Sequence, residues 1–198
     1  MTELILASSS AARQRLLRAA GVMFSVDPAA VDETTMLQSL AAERASGRDA
    51  ADLLAELKAL QVSNRRPGAF VVGADQVLSC GGELFEKPMV RAAARSQLLK
   101  LRGQTHVLSS VVCVARDGGV VWREVREARM TMRLFSEAFL DAYLVEAGED
   151  ILRSVGAYHV EGLGIQLFSR IDGDSFTIQG LPLLPLLDFL RTHGIVST

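Results

Sequence analysis

The chain has 198 residues, 49% of them hydrophobic, and a formal charge of −2 from 21 basic and 23 acidic side chains. It can bury a sizeable core, and the lack of a basic block interleaved with aromatics argues against nucleic acid as the main partner. No run approaches the roughly 18 apolar residues of a membrane span, no basic region of a signal peptide precedes the first serines, and Cys80 and Cys113 show no CxxC or zinc spacing.

One soluble domain over residues 1–198, in a reducing cytoplasm, is therefore expected. The stretch LILAS (4–8) predicts a short buried strand, and the following serines predict a helix capped by Ser10, with Leu16, Leu17 and Ala20 apolar and Gly21 at its end. Residues 23–27 read as a second strand, and VDETT (31–35) as a loop leading to helical material over about 37–62, broken near Gly47. AFVVGADQVL (69–78) reads as a strand that passes through a turn, and GGELFEKP (81–88) returns as a hairpin arm. A helix follows at 90–102, then two long strands joined at RDGG (116–119), a good hairpin signal. SEAFLDAYLVEAG predicts a short helix from a Ser136 cap to Gly148. The glycine-rich stretch 154–174 reads as loop plus strand, and an amphipathic helix after Pro182 closes the chain. Early alternation of strands and helices, with antiparallel pairs in the middle, predicts an α/β architecture with a mixed central sheet flanked by helices.

Stock phosphate motifs are missing: there is no GxxxxGK[ST], and GLGIQL (162–167) has a leucine where a dinucleotide fingerprint needs its third glycine. ASSSAARQRLL offers hydroxyls, helix N-terminal amides and Arg13 to an anion; the same residues also describe a capped helix with a solvated arginine. Glu33 is a metal ligand or a plain loop carboxylate. Asp75, where the apolar run breaks, is an Asx-turn residue or a carboxylate presented at a strand end, where ligands gather in α/β sheets. Glu161 among glycines has little reason to be there for packing, though a solvated loop would account for it. His159 reads as structural or exposed, and Met130 and Met132 as strand core. Only three of the 21 basic residues are lysines, Lys58, Lys87 and Lys100. Codon bias toward arginine accounts for the scarcity, but a lysine kept against it suits a compact point charge.

Taken in order and spacing, LILASSSxxRxxLL, VDE, LKA around Lys58, VVGADQV, EKP, GAYHVEGLG and GLPL resemble the Maf family of nucleoside triphosphate pyrophosphatases, from Leu4 to about Leu190. The resemblance implies hydrolysis of a nucleoside triphosphate to the monophosphate and pyrophosphate with Mg²⁺ or Mn²⁺, on an elongated, two-lobed ITPase-like fold that often forms a homodimer. By position, Asp75 looks like the proton acceptor and Glu33 the second acidic residue, the two together the metal carboxylates. Arg13, Lys58 and Lys87 look like the phosphate-side cations, and Ser8 and Ser10 fall in the phosphate-binding turn. Members resembling the dTTP and UTP hydrolases have an arginine pair, a threonine and GIQG where this chain has Ala12, Gln76 and Glu161. Gln76 with Glu161 is similar instead to the 7-methyl-GTP branch, while Ala12 lacks the aromatic or arginine expected there. A carboxylate can accept guanine's N1–H and exocyclic amine together, and a methyl group alone contributes only about 1 to 3 kcal/mol, so the charge on N7-methylated guanine is better read by Glu161. The competing expectation is a non-catalytic regulator of cell division, since the family has been linked to septum formation.

Overall fold

The computed structural model describes residues 3–197. In chain order the elements are β1 (Leu4–Leu6), α1 (Ala11–Ala19), β2 (Ser25–Val26), α2 (Glu33–Ala42), α3 (Gly47–Ser63), β3 (Phe70–Cys80) and β4 (Glu83–Phe85). They continue as α4 (Arg91–Leu101), β5 (Thr105–Arg116), β6 (Gly119–Met132), α5 (Glu137–Glu146), two short 3₁₀ turns, β7 (Phe168–Asp172), α6 (Ser175–Ile178) and α7 (Leu183–Thr192). The sheet runs β2-β1-β3-β5-β6-β7, with β4 beside β3 off this path. β1 is parallel to β2 and β3, whereas the β3, β5, β6 and β7 neighbours are antiparallel. The mixed α/β expectation is met, and among the described residues no helix is long and apolar enough to cross a membrane.

Most elements form for local reasons. Ser10, Ser46 and Ser136 accept from the amides of Arg13, Asp49 and Phe139 and so cap α1, α3 and α5. Asp117 (φ 50°) and Gly118 (φ 77°) make the two-residue turn between β5 and β6, whose left-handed backbone matches strand twist. In α7, Leu183, Leu186, Leu187 and Leu190 recur at helical spacing and are all buried. Each such side chain contributes about 1.5–3 kcal/mol.

Two expectations need correction. The loop expected over 31–35 ends at Asp32: its carboxylate accepts from the Thr35 amide at 3.1 Å and the Thr35 hydroxyl at 2.8 Å, so α2 already starts at Glu33. Nor does 69–78 turn, because β3 is one unbroken strand of 11 residues and Asp75 lies in its middle, opposite Val111 of β5. Gly73 serves packing rather than turning. A Cβ there would lie 2.3 Å from the Ala55 carbonyl oxygen and 2.6 Å from the Ala59 nitrogen. The missing side chain lets the alanine-rich face of α3 (Ala50, Ala51, Ala55, Ala59) settle on the strand.

The long strands pass through two apolar cores, which fits the two-lobed expectation. At one end, Leu6, Leu17, Val72, Val114 and the α7 leucines pack together, while α3 lies along the opposite face of β3 and β5 over a cluster of its own. At the other, Leu78, Phe85, Leu98, Leu108, Met130 and Leu140 form a separate core. Between them β3 has a free edge. β5 covers one side of residues 71–79, while on the other β1 pairs only with 70–72 and β4 only with 78–80. Among the described residues, 73–77 have no strand partner on that side.

Candidate functional site

Asp75 sits in that interval. Alternation along the strand sends Asp75 toward α3 and Gln76 toward α6, so adjacent residues serve opposite faces of the sheet. On the α3 face the Lys58 ammonium makes an ion pair with the Asp75 carboxylate, and its Nζ is also 2.7 Å from Glu33 Oε1. Both Lys58 and Asp75 are only 5% exposed. A lone charge that deep would be costly, and the pairing is what allows either to stay ionised. Glu33 reaches the pair because its helix begins at Asp32; its carboxylate is partly exposed and also meets Lys87 Nζ at 3.5 Å, near the mouth. Burial would raise the Glu33 carboxyl, but Lys58, Lys87 and Arg13 together hold it below its ordinary value.

On the other face Arg13 is buried. Its Nε donates to the Gly180 carbonyl at 2.9 Å and its Nη1 to Ser8 Oγ at 3.1 Å. Burial lowers this guanidinium from its ordinary value, while the charges of Asp75 and Glu33 act in the opposite sense. Ser8 Oγ also accepts from the Ser10 amide at 3.2 Å. Ser10 itself is engaged as the α1 cap.

Gln76 is anchored. Its amide nitrogen lies 2.8 Å from Ser110 Oγ and 3.0 Å from each of the Thr177 and Ile178 carbonyl oxygens. Two of those partners can only accept, which fixes the orientation of the amide and leaves Oε1 for a ligand. Glu161 lies beyond, its Oε1 held 2.6 Å from Arg15 Nη2. Ala12 is half-buried on α1, and nothing in the structure gives it a polar role. His159, half-buried, contacts the Asp150 carbonyl at 3.2 Å.

Asp75, Lys58, Glu33 and Lys87 thus form a chain of ion pairs in that order, with Arg13 and Ser8 across the strand edge and Gln76 joined to them through the turn at Gly180. Sequence reasoning missed Arg15, Gln179, Ser110 and the Gly180 carbonyl. Only the GLPL stretch hinted that the chain returns here. Two surface hollows lie elsewhere, about 330 Å³ between α4 and α5 and about 470 Å³ between β6 and α7, and neither has a buried acid–base pair.

A profile described as "Maf-like protein" matches residues 3–193. The chain belongs to the Maf family. It is 56% identical over 190 residues to the nucleoside triphosphate pyrophosphatase of Paramagnetospirillum magneticum, covering 96% of this chain and 98% of that one. Against the corresponding Caulobacter vibrioides protein, also called nucleoside triphosphate pyrophosphatase, it is 51% identical over 100% of this chain and 98% of that one. It is 52% identical to the 7-methyl-GTP pyrophosphatase of Brucella abortus, covering 98% of each chain. As a Maf protein it thus has full-length relatives under both names.

Proposed function

We propose that this Maf protein is a nucleoside triphosphate pyrophosphatase that acts on a guanine-type nucleotide, with 7-methyl-GTP the favoured substrate. The observation that carries the reading is the buried Lys58–Asp75 ion pair on the free edge of β3, joined by the partly exposed Glu33 and Lys87 and with Arg13 close by. Water attacks the α-phosphorus, the bond to the bridging oxygen breaks, and pyrophosphate leaves with the electron pair. Asp75 accepts the water's proton, and Lys58 holds that carboxylate in place. Arg13, Lys58 and Lys87 face the charge that grows on the leaving group. Losing one donor of this kind typically costs about 3–4 kcal/mol of transition-state stabilisation. Ser8 and the first amides of α1 are suited to the remaining phosphate oxygens.

The oxygen donors of Asp75 and Glu33 fit a hard divalent cation. Mg²⁺ or Mn²⁺ would be held there by one or both of these carboxylates and completed by substrate phosphates. Such an ion, when bound, supplies charge neutralisation on the phosphates and polarises the phosphoryl group.

For the base, Gln76 Oε1 and the Glu161 carboxylate are both acceptors, which matches the adjacent N–H donors of guanine better than the acceptor-flanked N3–H of uracil. The thiols of Cys80 and Cys113 are free, which agrees with a reducing cytoplasm. The test is a nucleotide panel with Mg²⁺ or Mn²⁺, scored for monophosphate and pyrophosphate. Asp75→Asn is expected to abolish turnover and leave nucleotide binding largely intact. Release from no member of the panel by the unmodified protein would refute the proposal.

A further inference from the structure

Arg15 and Glu161 are 146 positions apart and belong to different lobes. Arg15 projects from α1, whose buried face packs in the core with α7, whereas Glu161 follows Val155, Ala157 and Tyr158, which pack in the other core. The same Arg15 Nη2 that contacts Glu161 Oε1 lies 3.1 Å from Gln179 Oε1. Gln179 is itself held, its amide nitrogen donating to the Ser175 carbonyl at 3.1 Å. The turn that carries it is secured on both sides, by Gln76 at the Thr177 and Ile178 carbonyls and by Arg13 at the Gly180 carbonyl. A continuous run of contacts therefore leads from the strand bearing Asp75 to the carboxylate of Glu161.

We propose that Arg15, backed by Gln179, is a positioning residue for base selection. It fixes the Glu161 carboxylate through Oε1 and leaves Oε2 for the donor edge of a guanine-type base. This rests on the pyrophosphatase reading above. The turn that carries Glu161 is closed by the Gly162 amide on the His159 carbonyl at 3.2 Å, and among the described residues Arg15 is the one hydrogen-bond partner of the Glu161 side chain. Ordering it before the nucleotide arrives removes an entropic cost from binding. The ion pair is exposed, with side-chain accessibilities of 55% and 36%, so the effect is that of a surface pair, roughly two- to fivefold in affinity.

The experiment compares the unmodified protein with Arg15→Ala, Arg15→Lys, Glu161→Gln and the Arg15→Ala/Glu161→Gln double variant, using GTP, 7-methyl-GTP and UTP. Arg15→Ala is expected to raise KM for both guanine nucleotides by roughly two- to fivefold while kcat, the UTP parameters and the melting temperature stay unchanged. Arg15→Lys restores part of the lost preference. In the Glu161→Gln background, Arg15→Ala adds no further change, since its effect runs through that carboxylate. The inference is overturned if Arg15→Ala changes nothing, shifts KM equally for all three nucleotides, or adds its full effect to Glu161→Gln. An unmodified protein that hydrolyses no nucleotide refutes the pyrophosphatase reading and this inference with it. An active protein whose Arg15 variants keep their base preference refutes the inference alone.

Discussion

Replacing Lys58 with Met keeps most of the side-chain volume and removes the one cation in contact with Asp75 among the described residues. The Asp75 carboxylate, 5% exposed, then sits in the interior with only the more distant field of Arg13 to offset it. Breaking a buried pair from one side costs about 3–5 kcal/mol. Glu33 keeps partial access to water and its contact with Lys87, so most of the cost arises at Asp75 and the lower part of that range, about 3–4 kcal/mol, is expected. At roughly 2–4 °C per kcal/mol for a chain of this size, the melting temperature falls by about 6–16 °C. Adding Asp75→Leu removes the stranded charge as well. The double variant should recover to within about 1 kcal/mol of the parent, because an apolar replacement of both partners is often neutral or better. Urea unfolding followed by circular dichroism measures the stabilities, and monophosphate release measures turnover, which is lost in both variants. A Lys58→Met protein less than about 1 kcal/mol destabilised, or a double variant no better than the single, would refute the claim that this pair is a mutually dependent buried unit.

Gly73→Ala should cost about 1–3 kcal/mol or more, because its Cβ would meet the α3 backbone rather than a movable side chain; turnover should fall with it as Lys58 is displaced from Asp75, and normal activity and stability would contradict the close approach. Burial holds the His106 imidazole down to about 4, so the unfolded chain takes up its proton first as pH drops. Stability from this group is present above about pH 6.5 and is lost progressively toward pH 4, amounting to about 3 kcal/mol. Unfolding free energies of His106→Gln should be correspondingly flatter across that window, and an unchanged slope would exclude His106 as its source.

What could be read in the sequence was what is decided locally. Asp117–Gly118 announced the β5–β6 turn because both residues tolerate left-handed backbone, and Ser10 and Ser136 announced helix starts because their hydroxyls bond amides only a few residues on. Asp75 was singled out as a site candidate but misplaced at a strand end, whereas it lies in the middle of β3. A glycine inside an apolar run looks the same whether it allows a turn or admits a neighbouring helix, and only the position of Ala55 and Ala59 tells the two apart. Glu33 was given to a loop because α2 buries no residue fully, so it lacks the apolar rhythm that marks a helix. The contacts of Arg13 with Gly180 and of Arg15 with Glu161 join distant segments, and no local pattern encodes them.

The unpaired interval of β3 also bears on solubility. A bare sheet margin normally invites another polypeptide to add itself as a strand, the first step toward aggregation. Residues 73–77 span only about 17 Å, and β1 and β4 close the interval at either end. A foreign strand could not lie down there without dislodging one of them, so the interval offers no template to other chains.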